Sequence, residues 1–157
     1  MRKRNEPTAL SRKPGTQAVS AGHSPFIWPL RIYWEDTDAG GVVYHAAYVR
    51  FFERARTEWL RTAGVGQQTL CEQLGLVFVV HGMDIRFVRP ARLDDMLEAS
   101  VSVTEVRSAS FKVEQFLRRQ NDGVHLVDAR VRIACLDQRR WRPHPIPEFL
   151  LQEIVKS

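Results

Sequence analysis

Cysteine is scarce in this chain of 157 residues, which has only Cys71 and Cys135, far apart and without paired spacing. Two isolated cysteines provide neither a disulfide framework nor a zinc-binding pattern. Cys135 lies in the strand-like run ARVRIACL, and we interpret it as a small core residue. This cysteine usage fits a reducing compartment, so we expect a cytoplasmic protein.

Metal-binding spacings and long apolar runs are also missing. The five histidines show neither H-x-H nor H-E-x-x-H clustering, so neither a metal site nor a cofactor is predicted. No stretch reaches 18 consecutive apolar residues, so no transmembrane helix is expected. The basic N-terminus has no apolar central segment, which argues against a secretory signal.

Positive charge is concentrated at the N-terminus. The formal charge of the chain is +5, and residues 1–25 hold five basic side chains against Glu6 alone. These residues are rich in Pro, Gly and Ser and have no hydrophobic period, which predicts a disordered basic tail. We interpret the tail as a solvated leader or an over-long start of the reading frame, with a membrane-surface or nucleic-acid role as the alternative. Residues 26–157 carry no charge excess that would suggest nucleic-acid binding.

Residues 26–157 have the size of a single domain, and 44% of the whole chain is hydrophobic, which is enough for a packed core. A short strand is predicted from Leu30 to Asp36. A long helix is predicted from His45 to about Ala63, because apolar residues recur there every three or four positions. They are Tyr48, Phe51, Phe52, Ala55, Trp59 and Leu60. A second short helix is predicted at Gln67–Leu74, closed by a glycine.

The pattern after Gly75 is that of strands. Four runs alternate in the manner of half-buried strands: LVFVVHGMDIRFV, MLEASVSVTEV, SFKVEQFLRRQ and LVDARVRIACL. In the third run Phe116 is out of phase, which suggests a bulge. Asn121–Gly123 predicts a hairpin turn, and PEFLLQEIV suggests a terminal helix. Strands gathered after one helix predict an α+β domain with an antiparallel sheet curled around that helix, with exposed edges that favour self-association.

One dense stretch joins the predicted first strand to the long helix. RIYWEDTDAGGVVYHAAYVRFFERARTEWLR places carboxylates before two glycines, and the glycines lead into the helix. Glycine lets the backbone approach a ligand closely. The first N–H groups of a helix have no helical partner and lie at the positive end of its dipole. A carboxylate at this point is also ordinary chemistry for capping a turn or a helix.

This stretch, together with RFVRPARLDDML further on, resembles the hotdog fold. It is most similar to the 4-hydroxybenzoyl-CoA thioesterase-like superfamily, and within it to the YbgC group of acyl-CoA thioesterases linked to the Tol–Pal system. The resemblance covers the chain from about Phe26 to the C-terminus. It implies a sheet wrapped around one long central helix, and hydrolysis of acyl-CoA or acyl-carrier-protein thioesters to a free acid and a thiol. It also implies a homodimer or, preferably, a homotetramer built from two dimers, with sites at subunit interfaces and no metal or prosthetic group.

The resemblance also assigns roles to residues of the motif. Asp38 matches the position of the nucleophile or general base, and the residues alone do not separate those two roles. The backbone N–H of His45 matches the oxyanion donor, while the His45 side chain either orients water or the carboxylate or is a local hydrogen-bonding residue. Gly41 permits close approach of the substrate. Tyr44 either lines the acyl pocket or packs, and packing is the preferred interpretation.

Arginines are candidates for the phosphates of CoA, because the planar guanidinium makes paired hydrogen bonds. Arg89 and Arg92 are the preferred candidates, and an acyl-carrier protein would present negative charge to the same side chains. The weaker candidates are Arg86, Arg139, Arg140 and Arg142. Asp36 is interpreted as a solvated or structural carboxylate that faces away from Asp38.

Two rival functions remain open. An enoyl-thioester hydratase or dehydratase would use an acid on the long helix, for which Glu53 and Glu58 are candidates, although surface ion pairing is the preferred interpretation of both. A non-catalytic acyl-CoA sensor would keep the pocket without turnover. The length of the acyl chain is not predicted.

Overall fold

The computed structural model describes residues 24–156 and, in addition, a two-residue strand at Gln17–Ala18. The predicted disordered tail, residues 1–25, lies almost wholly outside the described residues. The boundary between that tail and the folded domain therefore stays a prediction.

The described chain contains strands, helices and one short 3-10 turn. In order these are β1 (Gln17–Ala18), β2 (Phe26–Arg31), a 3-10 turn (Trp34–Asp36), α1 (Ala47–Thr62), α2 (Gln67–Leu74), β3 (Leu76–Phe87), β4 (Met96–Arg107), β5 (Ser110–Arg119), β6 (His125–Asp137), β7 (Arg142–Pro143) and α3 (Glu148–Lys156). The four long strands, the second helix and the terminal helix confirm the predicted elements.

Within the described part of the chain, all strands join one antiparallel sheet. Its main order is β2–β4–β5–β6–β3; β1 also pairs with β4, and β7 pairs with the end of β6. The sheet curls around α1, whose inward face packs against β2 and β4. This is the predicted α+β hotdog arrangement.

The core forms where the aromatic face of α1 meets the strands. Phe51, Phe52 and Trp59 are fully buried on the helix. The Trp59 ring lies 6.1 Å from that of Phe111 on β5, and Phe111 makes an edge contact with Phe78 on β3. Rings of this size bury large apolar areas, so this contact is a major source of stability.

The entry to α1 differs from the prediction in two respects. A first strand is present as predicted, but its bounds differ: β2 covers Phe26–Arg31 instead of Leu30–Asp36. Trp34–Asp36 forms a 3-10 turn because the Asp36 carboxylate accepts the Tyr33 N–H at 3.0 Å. The helix begins at Ala47 rather than at His45. The two residues before Ala47 form a turn closed by its N–H, which donates to the Tyr44 carbonyl at 2.8 Å.

Glycine closes two elements where the sequence predicts it. Gly75 follows α2 with a φ of 64°, and its N–H donates to the Cys71 carbonyl. Gly123 has a φ of 68° in the turn between β5 and β6, where Arg119 N–H donates to the Val124 carbonyl. Positive φ is accessible to glycine without strain, so both turns confirm the prediction.

The bulge predicted at Phe116 is wrong. Residues Phe111, Val113, Gln115 and Leu117 alternate inward, and Phe116 pairs with Asp128 from the other face of β5. The pairing of β5 with β6 changes register only after this point, between Leu117 and Arg118. The inward position that looked like a phase slip is held by Gln115, a polar residue that is 3% exposed. A buried glutamine breaks the hydrophobic alternation without breaking the strand.

The buried glutamine belongs to a polar network inside the sheet. Gln115 Oε1 accepts from Arg56 Nη1 at 2.7 Å, and its Nε2 donates to the Phe52 and Ser100 carbonyls at 3.2 and 3.0 Å. Ser100 Oγ accepts the Phe116 N–H at 2.7 Å. Arg56 is 4% exposed, and burial lowers its pKa while the neighbouring Glu53 opposes that shift. The network bonds the middle of α1 to β4 and β5.

Strand β3 forms an edge of the sheet. Among the described residues it pairs only with β6, so one side of its twelve-residue backbone lacks a strand partner. Apolar side chains remain exposed along it, with Val80 at 40% and Phe87 at 52%. An apolar edge of this length is a surface that proteins normally cover.

A helix that spans a bilayer needs about 20 predominantly apolar residues. None of the helices in the described residues is both long and apolar enough to span one.

Candidate active site

The acidic turn between the 3-10 turn and α1 holds Asp38 at the surface. Its backbone N–H donates to the Val42 carbonyl at 2.9 Å, and its carbonyl accepts the Gly41 N–H at 3.0 Å. Its Oδ1 accepts the Gly40 N–H at 2.8 Å. Asp38 is exposed, and none of the ion pairs formed by the described residues includes it. Its negative charge therefore has no cationic partner among those residues.

The two glycines of this turn serve different purposes. Gly41 has a φ of 74°, a conformation that a residue with a side chain adopts only with strain. A Cβ at Gly40 would lie 3.0 Å from Asp38 Oδ1. Gly40 therefore leaves room for the carboxylate, and Gly41 permits the turn itself.

The peptide before α1 presents a free donor. Tyr44 N–H donates to the Asp36 carbonyl at 2.8 Å, and Ala47 N–H donates to the Tyr44 carbonyl. Between them, the His45 N–H has no acceptor among the described residues. The predicted donor is thus an unpaired N–H, and it lies in the turn that precedes the helix rather than in its first turn.

Aromatic rings connect this turn to the core. The exposed His45 ring lies 4.5 Å from that of Tyr44 and 6.5 Å from that of Phe87 at the end of β3. Phe87 in turn lies 5.7 Å from the buried ring of Tyr48 in the first turn of α1. Tyr44 is half-exposed, so it packs against His45 while keeping one face open to solvent.

Tyr48 was predicted only as a core residue, and the structure shows more. Its side chain is 2% exposed, and its Oη accepts the Ala91 N–H at 2.9 Å. Burial is the main cause that raises the pKa of Tyr48, and the charges of Asp95 and Asp38 add to the shift. The phenol therefore remains protonated close to both carboxylates.

The Ala91 peptide joins the acidic turn to the arginine segment, residues 88–95. Its N–H donates to Tyr48, and its carbonyl accepts the Val43 N–H at 2.9 Å. Val43 also forms an isolated bridge with Thr37, next to Asp38. Residues far apart in sequence are thus fixed beside one another at the start of α1.

The candidate phosphate-binding arginines separate into three places. Arg89 and Arg92 are exposed on residues 88–95, and neither forms an ion pair with another described residue. Arg86 lies on the opposite face of β3 from Phe87 and lines a cavity on the outer face of the sheet. The last three, Arg139, Arg140 and Arg142, lie beyond β6, where Asp137 pairs with Leu76 at the far end of β3. Only Arg89 and Arg92 share a segment with the Ala91 peptide.

Asp36 is structural and not solvated. It is 2% exposed, its Oδ2 accepts the Tyr33 N–H, and its Oδ1 lies 3.4 Å from Arg50 Nη2. Its carbonyl holds the Tyr44 N–H. Asp36 therefore organises the turn around Asp38, so of the two predicted alternatives the structural one is confirmed.

The helix carboxylates that a hydratase would use are engaged elsewhere. Glu53 Oε2 lies 2.5 Å from Arg56 Nη2, and Glu58 pairs with Arg61. The interpretation as ion pairs is confirmed for both, although Arg56 is buried and the first pair is only half at the surface.

Two of the cavities beside the sheet are large enough to be possible substrate sites. A largely apolar groove of about 470 Å³ runs between α1 and β3, lined by Val49, Arg50, Glu53, Arg54, Arg56, Val80 and Met83. A larger cavity of about 560 Å³ opens on the outer face and contains none of Asp38, Gly41, Tyr44 or His45. We associate the groove with the site because Arg50 in its lining contacts Asp36. Across residues 24–156, no three metal-ligating side chains gather into a group.

A curled antiparallel sheet around one helix, with a carboxylate turn and a free N–H at the helix entry, defines a hotdog thioesterase-like protein. Residues 32–154 match the sequence profile of the thioesterase-like superfamily. The chain therefore belongs to the thioesterase-like superfamily.

Named relatives cover most of the chain. It is 48% identical to the acyl-CoA thioesterase YbgC of Haemophilus influenzae over 78% of this chain and 89% of that protein. It is 44% identical to the acyl-CoA thioester hydrolase YbgC of Escherichia coli O6:H1 over 82% and 94%. A crystal structure of a probable thioesterase from Bartonella henselae aligns with a TM-score of 0.74 at 36% identity, covering 79% of this chain and all of that one.

Proposed function

We propose that the protein hydrolyses acyl-CoA thioesters to a free acid and CoA, with Asp38 as the reacting carboxylate. As a general base, Asp38 removes a proton from water while the water oxygen attacks the carbonyl carbon and the C–S bond breaks. As a nucleophile, Asp38 forms a mixed anhydride and expels the thiolate, and water then cleaves the anhydride. In both cases the departing thiolate takes up a proton.

The observation that carries this proposal is that two groups without a partner among the described residues lie at the entry to α1. They are the exposed carboxylate of Asp38, which has no cationic partner among those residues, and the N–H of His45, which has no acceptor among them. The bond from Gly40 occupies only one Asp38 oxygen, so the other is available to water or substrate. The free His45 N–H supplies a donor for the negative charge that develops on the thioester oxygen. Activity of the 48% identical relative points to the same chemistry.

Surfaces on both sides of this turn would complete the substrate-binding site. Arg89 and Arg92, which form no ion pair with another described residue, offer guanidinium groups to the phosphates of CoA or to an acidic acyl-carrier protein. The groove between α1 and β3 offers an apolar surface for the acyl group.

We further propose that the working form is a homodimer or a tetramer of two dimers, located in the cytoplasm. The edge of β3 and its exposed Val80 and Phe87 support association, because a second copy would pair the open backbone and cover both side chains. The free thiols of Cys71 and Cys135 fit a reducing compartment.

The test of the proposed function is thiol release from a panel of acyl-CoAs of increasing chain length by the wild type and by Asp38→Asn. Asn has nearly the same shape and keeps an acceptor for Gly40, so a loss of turnover of at least a hundredfold with unchanged folding is expected. The matched control is Asp84→Asn, because Asp84 is an exposed carboxylate on the outer face of the sheet. Asp36→Asn is unsuitable as a control because Asp36 is buried. Wild-type turnover by Asp38→Asn would contradict the proposal.

The same panel separates the rival functions. Loss of an enoyl-CoA chromophore without thiol release would identify a hydratase. Tight acyl-CoA binding without turnover, unaffected by Asp38→Asn, would identify a sensor.

A further inference from the structure

A buried phenol beside the candidate site has a proton that the described residues do not use. Tyr48 Oη accepts the Ala91 N–H at 2.9 Å, and this bond fixes the position of the oxygen. The hydroxyl is also a donor, and no acceptor for its proton lies within hydrogen-bond distance among the described residues. With a side chain only 2% exposed, bulk water does not solvate that proton freely.

Geometry brings this hydroxyl to the acidic turn. The Ala91 peptide that donates to Tyr48 also accepts from Val43, and Val43 bridges Thr37, the residue before Asp38. No hydrogen bond joins Tyr48 to Asp38 directly, so a contact between them requires an intervening water or a rotation of the Asp38 side chain. The negative charges of Asp95 in residues 88–95 and of Asp38 in the acidic turn both act on the Tyr48 phenol.

Of these two carboxylates, Asp95 is the more fully engaged. Its Oδ2 accepts from the Arg92 N–H at 2.9 Å and from Arg119 Nε at 3.2 Å. Asp38 has one bond, from Gly40, and no cationic partner within the described residues. A further donor therefore has the greater effect on Asp38.

We propose that Tyr48 is a positioning residue whose hydroxyl proton, directly or through one water, holds and stabilises the ionised carboxylate of Asp38. This inference rests on the proposed function, since it assigns Tyr48 a role through Asp38. It differs from a purely structural role, in which the hydroxyl serves only as the acceptor for Ala91.

The primary test is Tyr48→Phe, which removes the hydroxyl and keeps the ring. We expect kcat for acyl-CoA hydrolysis to fall about tenfold with little change in KM, because a hydrogen bond to an ion is lost and substrate contacts are not. The acid limb of the kcat/KM profile should move to higher pH by about half a unit or more, because the charged carboxylate loses a stabilising donor. An acid limb that stays in place would overturn the proposal and leave Tyr48 as a partner of Ala91 or Asp95.

Tyr48→Phe also leaves the Ala91 N–H without its acceptor, so a loss of stability alone must be controlled. Phe51→Leu is the matched control, because Phe51 is a fully buried neighbour whose ring lies 5.9 Å from that of Tyr48. It should lower the melting temperature and leave the acid limb unmoved. An equal displacement of the limb in Phe51→Leu would attribute the effect to packing and refute the proposal.

A double variant separates this inference from the proposed function. In the Asp38→Asn background, Tyr48→Phe should cause no further loss of turnover, since the group through which it acts is already gone. A further tenfold loss in that background would overturn the positioning role while leaving Asp38 catalytic. Full activity of Asp38→Asn alone would instead refute the proposed function. If turnover of Asp38→Asn is too low to measure, carboxyl carbon-13 titration of the Tyr48→Phe protein, with the Asp38 signal assigned by its absence in Asp38→Asn, reports the same displacement directly.

Discussion

Removing one partner of the buried network around Gln115 should destabilise the protein severely. Gln115→Leu deprives Arg56 Nη1 of its acceptor and removes the side-chain donor from the Phe52 and Ser100 carbonyls, which lie in α1 and β4. Each buried polar group left unpaired costs about 1–3 kcal/mol, and a charged one costs more. Part of this is offset because leucine buries more apolar surface than the amide. We expect a net loss of about 4 kcal/mol, a large share of the roughly 5–15 kcal/mol that stabilises a typical domain.

The double variant tests the reasoning more sharply. Adding Arg56→Met to Gln115→Leu removes the buried guanidinium that lacks an acceptor, so the double variant should recover about 1–2 kcal/mol relative to Gln115→Leu alone. Unfolding in urea, followed by tryptophan fluorescence at one fixed protein concentration, measures both values, because association would link stability to concentration. A Gln115→Leu protein within about 1 kcal/mol of wild type, or a double variant less stable than the single one, would refute this account of the network.

Three further predictions concern the acidic turn, the phosphates and a buried thiol. Gly41→Ala forces a side chain into positive φ at a cost of roughly 1–2 kcal/mol in stability, and it should reduce turnover. The control is Gly123→Ala, which has nearly the same φ in a distant hairpin. It should cost as much stability and leave turnover unchanged. Arg92→Gln should raise KM for acyl-CoA but not for the matching N-acetylcysteamine thioester, which lacks the phosphates; an equal rise for both would exclude a phosphate contact. Burial raises the pKa of the Cys135 thiol from 9.0 to about 11, so between these values the unfolded chain loses a proton that the folded chain keeps, and stability falls by about 1.4 kcal/mol per pH unit. Unfolding measured at pH 8.5 and 10.5 should show this loss in the wild type beyond that in Cys135→Ala, and equal losses would contradict it.

Elements with strong periodicity were predictable from the sequence. The aromatic spacing on α1 specifies a buried helix, and Gly75 and Gly123 mark turns because their positive φ suits glycine. In these places local preference and tertiary packing agree. The long strands followed from alternation that one buried face requires.

The errors lie where a polar side chain replaces the expected apolar one or bonds to nearby backbone. Gln115 occupies an inward position only because Arg56 is buried opposite it, and no local pattern indicates that long-range pair. Asp36 turns the predicted end of the first strand into a 3-10 turn by accepting the Tyr33 N–H. Such bonds depend on partners whose positions the fold alone determines.

The candidate site was predictable in part. Asp38, Gly41 and His45 were identified from a motif, and all three lie in the segment between the 3-10 turn and α1. Tyr48 was predicted only as a core residue, because its position in the helical pattern is the same whether or not its hydroxyl forms a hydrogen bond. The bond from Ala91 joins segments more than 40 residues apart, and periodicity carries no information about it.

The two backbone hydrogen bonds of Ala91 limit how the candidate site can move. Its N–H donates to Tyr48 and its carbonyl accepts from Val43, so this residue connects the acidic turn, the beginning of α1 and the arginine segment. Separating these three segments would break both bonds. The exposed rings of Tyr44 and His45, in contrast, can rotate without breaking a backbone hydrogen bond. We therefore expect access to the acidic turn to depend on rotation of these side chains rather than on movement of the backbone.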